Sequence, residues 1–273
     1  MPELIPILIP TAILFAIALI CGVILTLSSV YFGVKEDETF TAVRDCLPGA
    51  NCGACGYSGC DGYAKALAGG GVKTNLCIPG GDKTASEIAA VLGVEAEDVI
   101  EKVAYVACNG KCGAVEKKYD YKGEPNCVAA NLSYNGDKEC IYACLGYGDC
   151  AKACPNDAIT VEDNVARVDP QKCVGCGICV HTCPNHLINL VADTTRVVVE
   201  CSNHEKGAVT RKQCSNGCIG CMKCEKTCQY GAIKVIDNLA VIDYELCTGC
   251  GECANVCPVK CIHEGNFICG AHF

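Results

Sequence analysis

The stretch Cys173-Val174-Gly175-Cys176-Gly177-Ile178-Cys179-Val180-His181-Thr182-Cys183-Pro184 decides the fold, because Cys247-Thr248-Gly249-Cys250-Gly251-Glu252-Cys253-Ala254-Asn255-Val256-Cys257-Pro258 repeats its spacing 74 residues later. The offset holds over a longer register. Cys140, Cys144, Cys150, Cys154, Cys173, Cys176, Cys179 and Cys183 recur as Cys214, Cys218, Cys224, Cys228, Cys247, Cys250, Cys253 and Cys257. Between the runs, Ala158-Ile159-x-Val161-x-Asp163-Asn164-x-Ala166-x-x-Asp169 recurs without a gap as Ala232-Ile233-x-Val235-x-Asp237-Asn238-x-Ala240-x-x-Asp243. The chain therefore carries a duplicated module with two cysteine runs in each copy.

Cysteine accounts for 29 of 273 residues, the level at which cysteine chemistry shapes a fold. There is no Trp, and the apolar fraction of 51% is raised by cysteine and alanine. Small modules held by inorganic centres are expected from such a chain rather than one large core. Disulfides need an oxidising compartment; an odd cysteine count, tight spacing and no cleavable signal favour metal ligation. The net charge of -9 comes from interspersed acids and bases with no basic stripe, which argues against a nucleic-acid partner.

C-x2-C-x2-C-x3-C-P is the bacterial two-cluster signature, whose fourth cysteine serves the other cluster. Cys173 to Pro184 and Cys247 to Pro258 match it fully, and Cys218, Cys221, Cys224 and Cys228 match except for Gln229 in place of proline. In the fourth run Tyr147 stands in the position of Cys221. The spacing there points to Cys140 as the substitute ligand and leaves Cys214 spare. The crossed rule then groups Cys140, Cys144, Cys150 and Cys183 on one 4Fe–4S cube, and Cys154, Cys173, Cys176 and Cys179 on the next. In the second repeat it groups Cys218, Cys221, Cys224 and Cys257, and then Cys228, Cys247, Cys250 and Cys253. The alternating segments around Asp163-Asn164 and Asp237-Asn238 read as hairpins.

Upstream, Cys52, Cys55, Cys60 and Cys77 have the spacing C-x2-C-x4-C-x16-C in a glycine-rich loop, a fifth set suited to a cube. Zinc sites more often use two short pairs separated by a spacer. Nine cysteines remain: Cys21, Cys46, Cys108, Cys112, Cys127, Cys201, Cys214, Cys261 and Cys269. Cys108, Cys112 and Cys127 are candidates for a sixth cube, with Cys140, Cys201 or Cys214 as fourth ligand. Residues 84–107 read as a helix with Ile88, Val91, Leu92, Val99, Ile100 and Val103 on its apolar face. The five histidines show no ligand pattern, no G-x-G-x-x-G follows a strand, and no catalytic residue is assigned.

Leu4 to Phe32 contains no charged residue and is long enough, as a helix, to exceed a hydrocarbon core of roughly 30 Å. A single membrane span is expected. Basic residues follow it but none precedes it, which places the body in the cytoplasm.

Two stretches carry a family resemblance: Asn51-Cys52-Gly53-Ala54-Cys55-Gly56-Tyr57 and Cys144-Leu145-Gly146-Tyr147-Gly148-Asp149-Cys150. With the apolar helix and tandem repeats, the chain resembles the B subunits of the Rnf complex, the membrane ion-translocating ferredoxin:NAD oxidoreductase. The resemblance implies an electron-transfer subunit of a translocase in the cytoplasmic membrane, with no complete active site of its own. It would take electrons from soluble reduced ferredoxin and pass them to membrane and flavoprotein subunits and NAD, coupled to sodium or proton transport. An electron-input polyferredoxin of another membrane redox complex is the alternative. The basic residues Lys206, Arg211 and Lys212 are candidates for docking an acidic ferredoxin.

The expected fold class is α+β: one N-terminal transmembrane helix, a small helical 4Fe–4S domain, and two tandem bacterial-type two-cluster ferredoxin modules. The expected boundaries are 1–33 for the anchor, 34–95 for the 4Fe–4S domain, and 96–135 for a helix and linker. Residues 136–193 form module 1, 194–212 a spacer and 213–273 module 2. Five 4Fe–4S clusters are expected, or six with the extra set.

Overall fold

The computed structural model describes residues 5–32 and 38–265, with side chains of the first helix described for 13–28. The elements, in chain order, are α1 (Ile5–Phe32), α2 (Glu38–Cys46), α3 (Cys60–Ala68), α4 (Gly81–Leu92), β1 (Lys102–Val106), α5 (Cys127–Leu132), α6 (Asp149–Lys152), β2 (Ile159–Glu162), β3 (Val165–Val168), α7 (Ile178–Thr182), β4 (Ile188–Ala192), β5 (Val197–Val199), α8 (Gly207–Gln213), α9 (Lys223–Thr227), β6 (Ile233–Ile236), β7 (Leu239–Ile242), α10 (Glu252–Asn255) and β8 (Ile262–Glu264).

Each module is built from two antiparallel pairs. β2 and β3 form the hairpin expected from sequence, with Ile159 opposite Val168 and Glu162 opposite Val165. β6 and β7 repeat it with Ile233 opposite Ile242. The two-residue turns need positive φ at both positions, and Asp163-Asn164 and Asp237-Asn238 supply it at φ 48 and 64 and φ 47 and 64. The second pair in each module joins its two ends. β1 pairs with β4, Lys102 opposite Ala192, and β5 pairs with β8, Val197 opposite Glu264.

That second ladder changes how the sequence divides. The helix expected over 84–107 stops at Leu92, where Gly93 takes the left-handed conformation at φ 67 and closes α4. Val103, assigned to the apolar face of that helix, lies instead on strand β1. β-Branched valines at 103 and 106 favour the pleated conformation, and β4 supplies the partner that the linear pattern could not show. Likewise 197–199, placed in a spacer, is a strand buried at all three positions.

The cores are small. Val165 and Ile188, 0% and 2% exposed, centre the module 1 core together with Ile159, Leu187 and several cysteines. Full burial of such a side chain contributes about 1.5–3 kcal/mol, so a handful of them sets register more than total stability. Module 2 repeats the arrangement around Val197, Ile233 and Ile262. The N-terminal domain packs α2, α3 and α4 around Val43, Tyr63, Leu67 and Ile88. It meets module 1 at Gly175, where an added Cβ would lie 2.3 Å from the Lys102 carbonyl oxygen and 3.0 Å from Ile78. The close approach, at φ 63, requires glycine there.

α1 runs 28 residues without an acidic first turn or a basic last turn. Among the residues whose side chains are described, which cover only 13–28 of α1, no helix is long and apolar enough to cross a membrane. The expected single span is thus not shown by the structure. The described side chains cover only the middle of α1, where Ile13, Leu14, Phe15, Leu19 and Leu25 are all exposed. Cys21 is also exposed on α1. Cys269 lies outside the described residues.

Candidate metal centres

Every described cysteine is a free thiol. Short helices deliver the ligands. α6, α7 and α10 each follow a left-handed glycine, Gly148, Gly177 and Gly251, which turns the chain sharply from loop into helix. The fourth such turn uses Met222 at φ 58, a conformation that an L side chain rarely adopts.

Two of the expected groups each surround one void. Cys154, Cys173, Cys176 and Cys179 line a cavity of about 330 Å³ closed by Ala104, Ile159 and Ile178. Cys228, Cys247, Cys250 and Cys253 line one of about 360 Å³. Cys224 lies among Cys218, Cys221 and Cys257. Cys77 lies among Cys60, Cys52 and Cys55 at the N-terminal domain.

The irregular run departs from the expectation. The void of about 420 Å³ beside Cys144, Cys150 and Cys183 has Cys127, not Cys140, as its fourth cysteine. Tyr147 explains the exchange. It does not offer a ligand; its ring packs edge-on against Tyr121 with centroids 5.7 Å apart, and both support the cluster of Cys127, Ala130 and Leu145. The residue at the register position of Cys221 therefore braces the helix that carries Cys127. Asp149 holds that helix from the other side, accepting hydrogen bonds from the Cys127 and Val128 backbone N–H groups at 2.8 and 3.3 Å. Groups that orient a metal ligand are typically worth about 10–100-fold in affinity. Asp149→Ala is expected to weaken iron retention at this centre by about that factor, measured as chelator-driven loss of iron per chain under anaerobic conditions.

Cys140 and Cys214 meet elsewhere. Together with Cys108 and Cys201 they line a void of about 300 Å³ between the two modules, close in size to the regular ones. Each module contributes a matching pair. Cys108 follows β1 by two residues, and Cys201 follows β5 by two. The Cys108 sulfur accepts from Gly110 N–H at 3.4 Å and Cys144 N–H at 3.3 Å. The Cys201 sulfur accepts from Asn203 N–H at 3.5 Å and Cys218 N–H at 3.2 Å. Asn203 also donates to Cys140 Sγ at 3.4 Å. Cys112 belongs to neither void; it is exposed and bridges to Val115. So of the three cysteines named first for a sixth set only Cys108 lines the intermodule void, and the three alternatives for its fourth ligand, Cys140, Cys201 and Cys214, line it together. The matching segments Val106-Ala107-Cys108-Asn109 and Val199-Glu200-Cys201-Ser202 were the missed signal, because they fall outside the 74-residue register.

The electrostatics favour an inorganic occupant. Ligation needs thiolates, yet burial pushes Cys140 and Cys179 up to about 11 and Cys150 and Cys201 to about 12. Bound iron supplies the positive charge that reverses this penalty. Lys138 gives an independent sign. It is 2% exposed, and its ammonium donates to the carbonyls of Asn164 and Gly110 at 2.9 and 3.4 Å. Its charge favours the thiolates of Cys108, Cys144 and Cys214. A buried ammonium needs a counter-charge, and thiolates around a cluster provide one. Among the described residues, no three His, Cys, Asp or Glu side chains converge as a single metal ion would require. Zinc draws its sulfurs to about 2.3 Å from one point, whereas a cube takes one thiolate per iron and spreads them round a void.

The fold and these thiol-lined voids define an iron–sulfur electron carrier built from tandem ferredoxin modules. Comparison with known families agrees region by region: an Fe-S cluster model matches residues 47–79, an LdpA Fe-S cluster-binding domain 134–194, a 4Fe-4S dicluster domain 172–232 and a 4Fe-4S binding domain 240–263. The chain is 43% identical over 257 residues to the B subunit of the Na(+)-translocating ferredoxin:NAD(+) oxidoreductase complex of Acetobacterium woodii, covering 94% of this chain and 77% of that one. It is 39% identical to the B subunit of an ion-translocating oxidoreductase complex of Methanosarcina acetivorans, covering 92% and 96%. It is also 39% identical to the B subunit of the proton-translocating ferredoxin:NAD(+) oxidoreductase complex of Clostridium ljungdahlii, covering 90% and 88%. The chain belongs to the family of B subunits of ion-translocating ferredoxin:NAD oxidoreductase, or Rnf, complexes. It is an iron–sulfur electron-transfer subunit.

Proposed function

We propose that this subunit carries electrons from reduced ferredoxin through six 4Fe–4S cubes toward the other subunits of its complex and NAD. The carrying observation is the order in which the thiol sets adjoin. Cys52 of the N-terminal set lies close enough to bear on Cys176. The Cys176 set shares α6 and its flank with the next, through Cys154 and Cys150. The Cys144 N–H bonds Cys108, and the Cys218 N–H bonds Cys201, so the intermodule set adjoins the irregular set of module 1 on one side and a regular set of module 2 on the other. Cys224 and Cys228 then lead to the last set.

The proposed ligands are Cys52, Cys55, Cys60 and Cys77 for the first cube, and Cys154, Cys173, Cys176 and Cys179 for the second. Cys127, Cys144, Cys150 and Cys183 hold the third, and Cys108, Cys140, Cys201 and Cys214 the fourth. Cys218, Cys221, Cys224 and Cys257 hold the fifth, and Cys228, Cys247, Cys250 and Cys253 the sixth. The protein's part is to hold thiolates, exclude water and position N–H donors toward sulfur; the cubes supply one-electron storage.

Entry at module 2 follows from exposure. Cys221 and Cys250 are exposed, as are Lys206, Arg211 and Lys212, which suit an acidic ferredoxin. Exit lies toward the N-terminal domain, which continues into α1. A charge-free 28-residue helix, about 42 Å long at 1.5 Å per residue, supports a single-pass anchor with the cubes on the cytoplasmic side. The relatives are named for different ions, sodium in one complex and protons in another.

The test is anaerobic. The purified chain should hold about twenty-four iron atoms with equimolar sulfide, and reduced ferredoxin should bleach its cluster absorbance. Fewer than about sixteen irons, or no reduction by ferredoxin, would sink the proposal.

A further inference from the structure

We infer that the Cys261 thiol is a hydrogen-bond donor to the cluster ligand Cys257, with Cys218 beside it, and that it raises the reduction potential of their cube. The inference rests on the cluster reading above and concerns a residue that is not itself one of the proposed ligands.

Each of the four runs is followed, four residues after its last cysteine, by a residue that folds back over the cube. These residues are Ala158, Leu187, Ala232 and Cys261. The position is shared in three dimensions. The Ala158 N–H donates to Cys154 Sγ at 3.3 Å and the Leu187 N–H to Cys183 Sγ at 3.5 Å. Three of the four side chains are hydrocarbon, and only Cys261 carries a polar hydrogen.

Cys261 is 1% exposed and packed with Val197, Val199 and Ile262. Its sulfur lies 3.6 Å from Cys257 Sγ, and Cys218 is close enough to bear on it electrostatically. Cys257 and Cys218 belong to one cube under the crossed arrangement. Once they bind iron they are thiolates with no proton to give, so Cys261 must be the donor. A hydrogen bond to cluster sulfur favours the more negative, reduced state, and so moves the potential upward. The equivalent cube of module 1, on Cys127, Cys144, Cys150 and Cys183, has Leu187 in that place and receives no such bond. The two cubes flanking the intermodule centre already differ in one ligand, buried Cys127 in module 1 and exposed Cys221 in module 2, and Cys261 adds a donor on one side.

The experiment uses the full chain purified anaerobically in detergent. Cys261→Ala copies the side chain found at 158 and 232, and Leu187→Cys introduces the donor into module 1. Iron and sulfide are measured in both, and each centre is followed by EPR during potentiometric titration. Cys261→Ala is expected to keep the wild-type iron content while one centre becomes harder to reduce. Its reduced-to-oxidised ratio at a fixed poise should fall about tenfold, which is about 59 mV for a one-electron couple. Leu187→Cys is expected to move a different centre upward. Full iron content with every midpoint unchanged in both variants would overturn the inference. A loss of about four irons in Cys261→Ala would overturn it too, by making Cys261 a ligand. A wild-type chain lacking cubes would instead defeat the cluster reading itself.

Discussion

The double variant Cys127→Ala/Cys140→Ala is expected to lose about eight irons per chain, and each single variant about four. The reason is geometric. Linear spacing puts Cys140 on the cube of Cys144, Cys150 and Cys183, and leaves Cys127 in a different set. The structure puts Cys127 beside those three and turns Cys140 toward Cys108, Cys201 and Cys214. If Cys140 served the irregular cube in place of Cys127, its single variant would lose that cube and Cys127→Ala would not. If both cysteines touched the same cube, the double variant would lose only about four irons. Cys112→Ala is the control, since an exposed thiol outside both voids should leave the count unchanged. Elemental analysis with EPR spin counting decides among these outcomes.

Removing a ligand of the intermodule centre should have the largest effect on the wire. Cys108→Ala and Cys201→Ala each delete a thiolate at the one centre that links the two modules. Reduction of the module 2 cubes by ferredoxin should persist, while electron delivery to NAD in the assembled complex stops. Cys108→Ala should also cost stability through Lys138. Its ammonium is buried and bonded to carbonyls, with cluster thiolates as its counter-charge. Leaving such a charge wholly unpaired costs about 3–5 kcal/mol, and the loss of one of its three thiolates costs a part of that. Lys138→Met in the Cys108→Ala background is expected to restore much of that stability without restoring electron transfer. Anaerobic denaturant unfolding of the full chain, paired with ferredoxin-dependent NAD reduction by the complex, measures both effects. Persistent NAD reduction in Cys108→Ala would show that electrons pass between modules by another route.

Much of the architecture was legible in the residues because the governing constraints are local. Asp163-Asn164 and Asp237-Asn238 announce their turns through a φ requirement that few residues meet, and the hairpins form as read. The regular runs carry three cysteines of each set within a few residues of one another, and the crossed rule supplies the fourth from the paired run. The strands β1 and β5 were not legible. Each is short and pairs with a segment at the far end of its module, and a five-residue apolar stretch has no periodicity that separates strand from helix. Reading 84–107 as one helix follows from that ambiguity, and Gly93 is the breaker inside it.

The sequence by itself determined the duplication, the iron–sulfur chemistry and the regular thiol sets, because those depend on residue type and short spacing. Only the tertiary structure decided where the irregular cysteines go. Cys127 reaches the void of Cys144, Cys150 and Cys183 because Tyr147 packs against α5 and Asp149 holds the start of that helix. Cys108 and Cys201 meet Cys140 and Cys214 because two β ladders, each closing the ends of a module, bring segments far apart in the chain to one junction. A linear register records which cysteines are equivalent; it does not record which of them become neighbours when one copy of the module packs on the other.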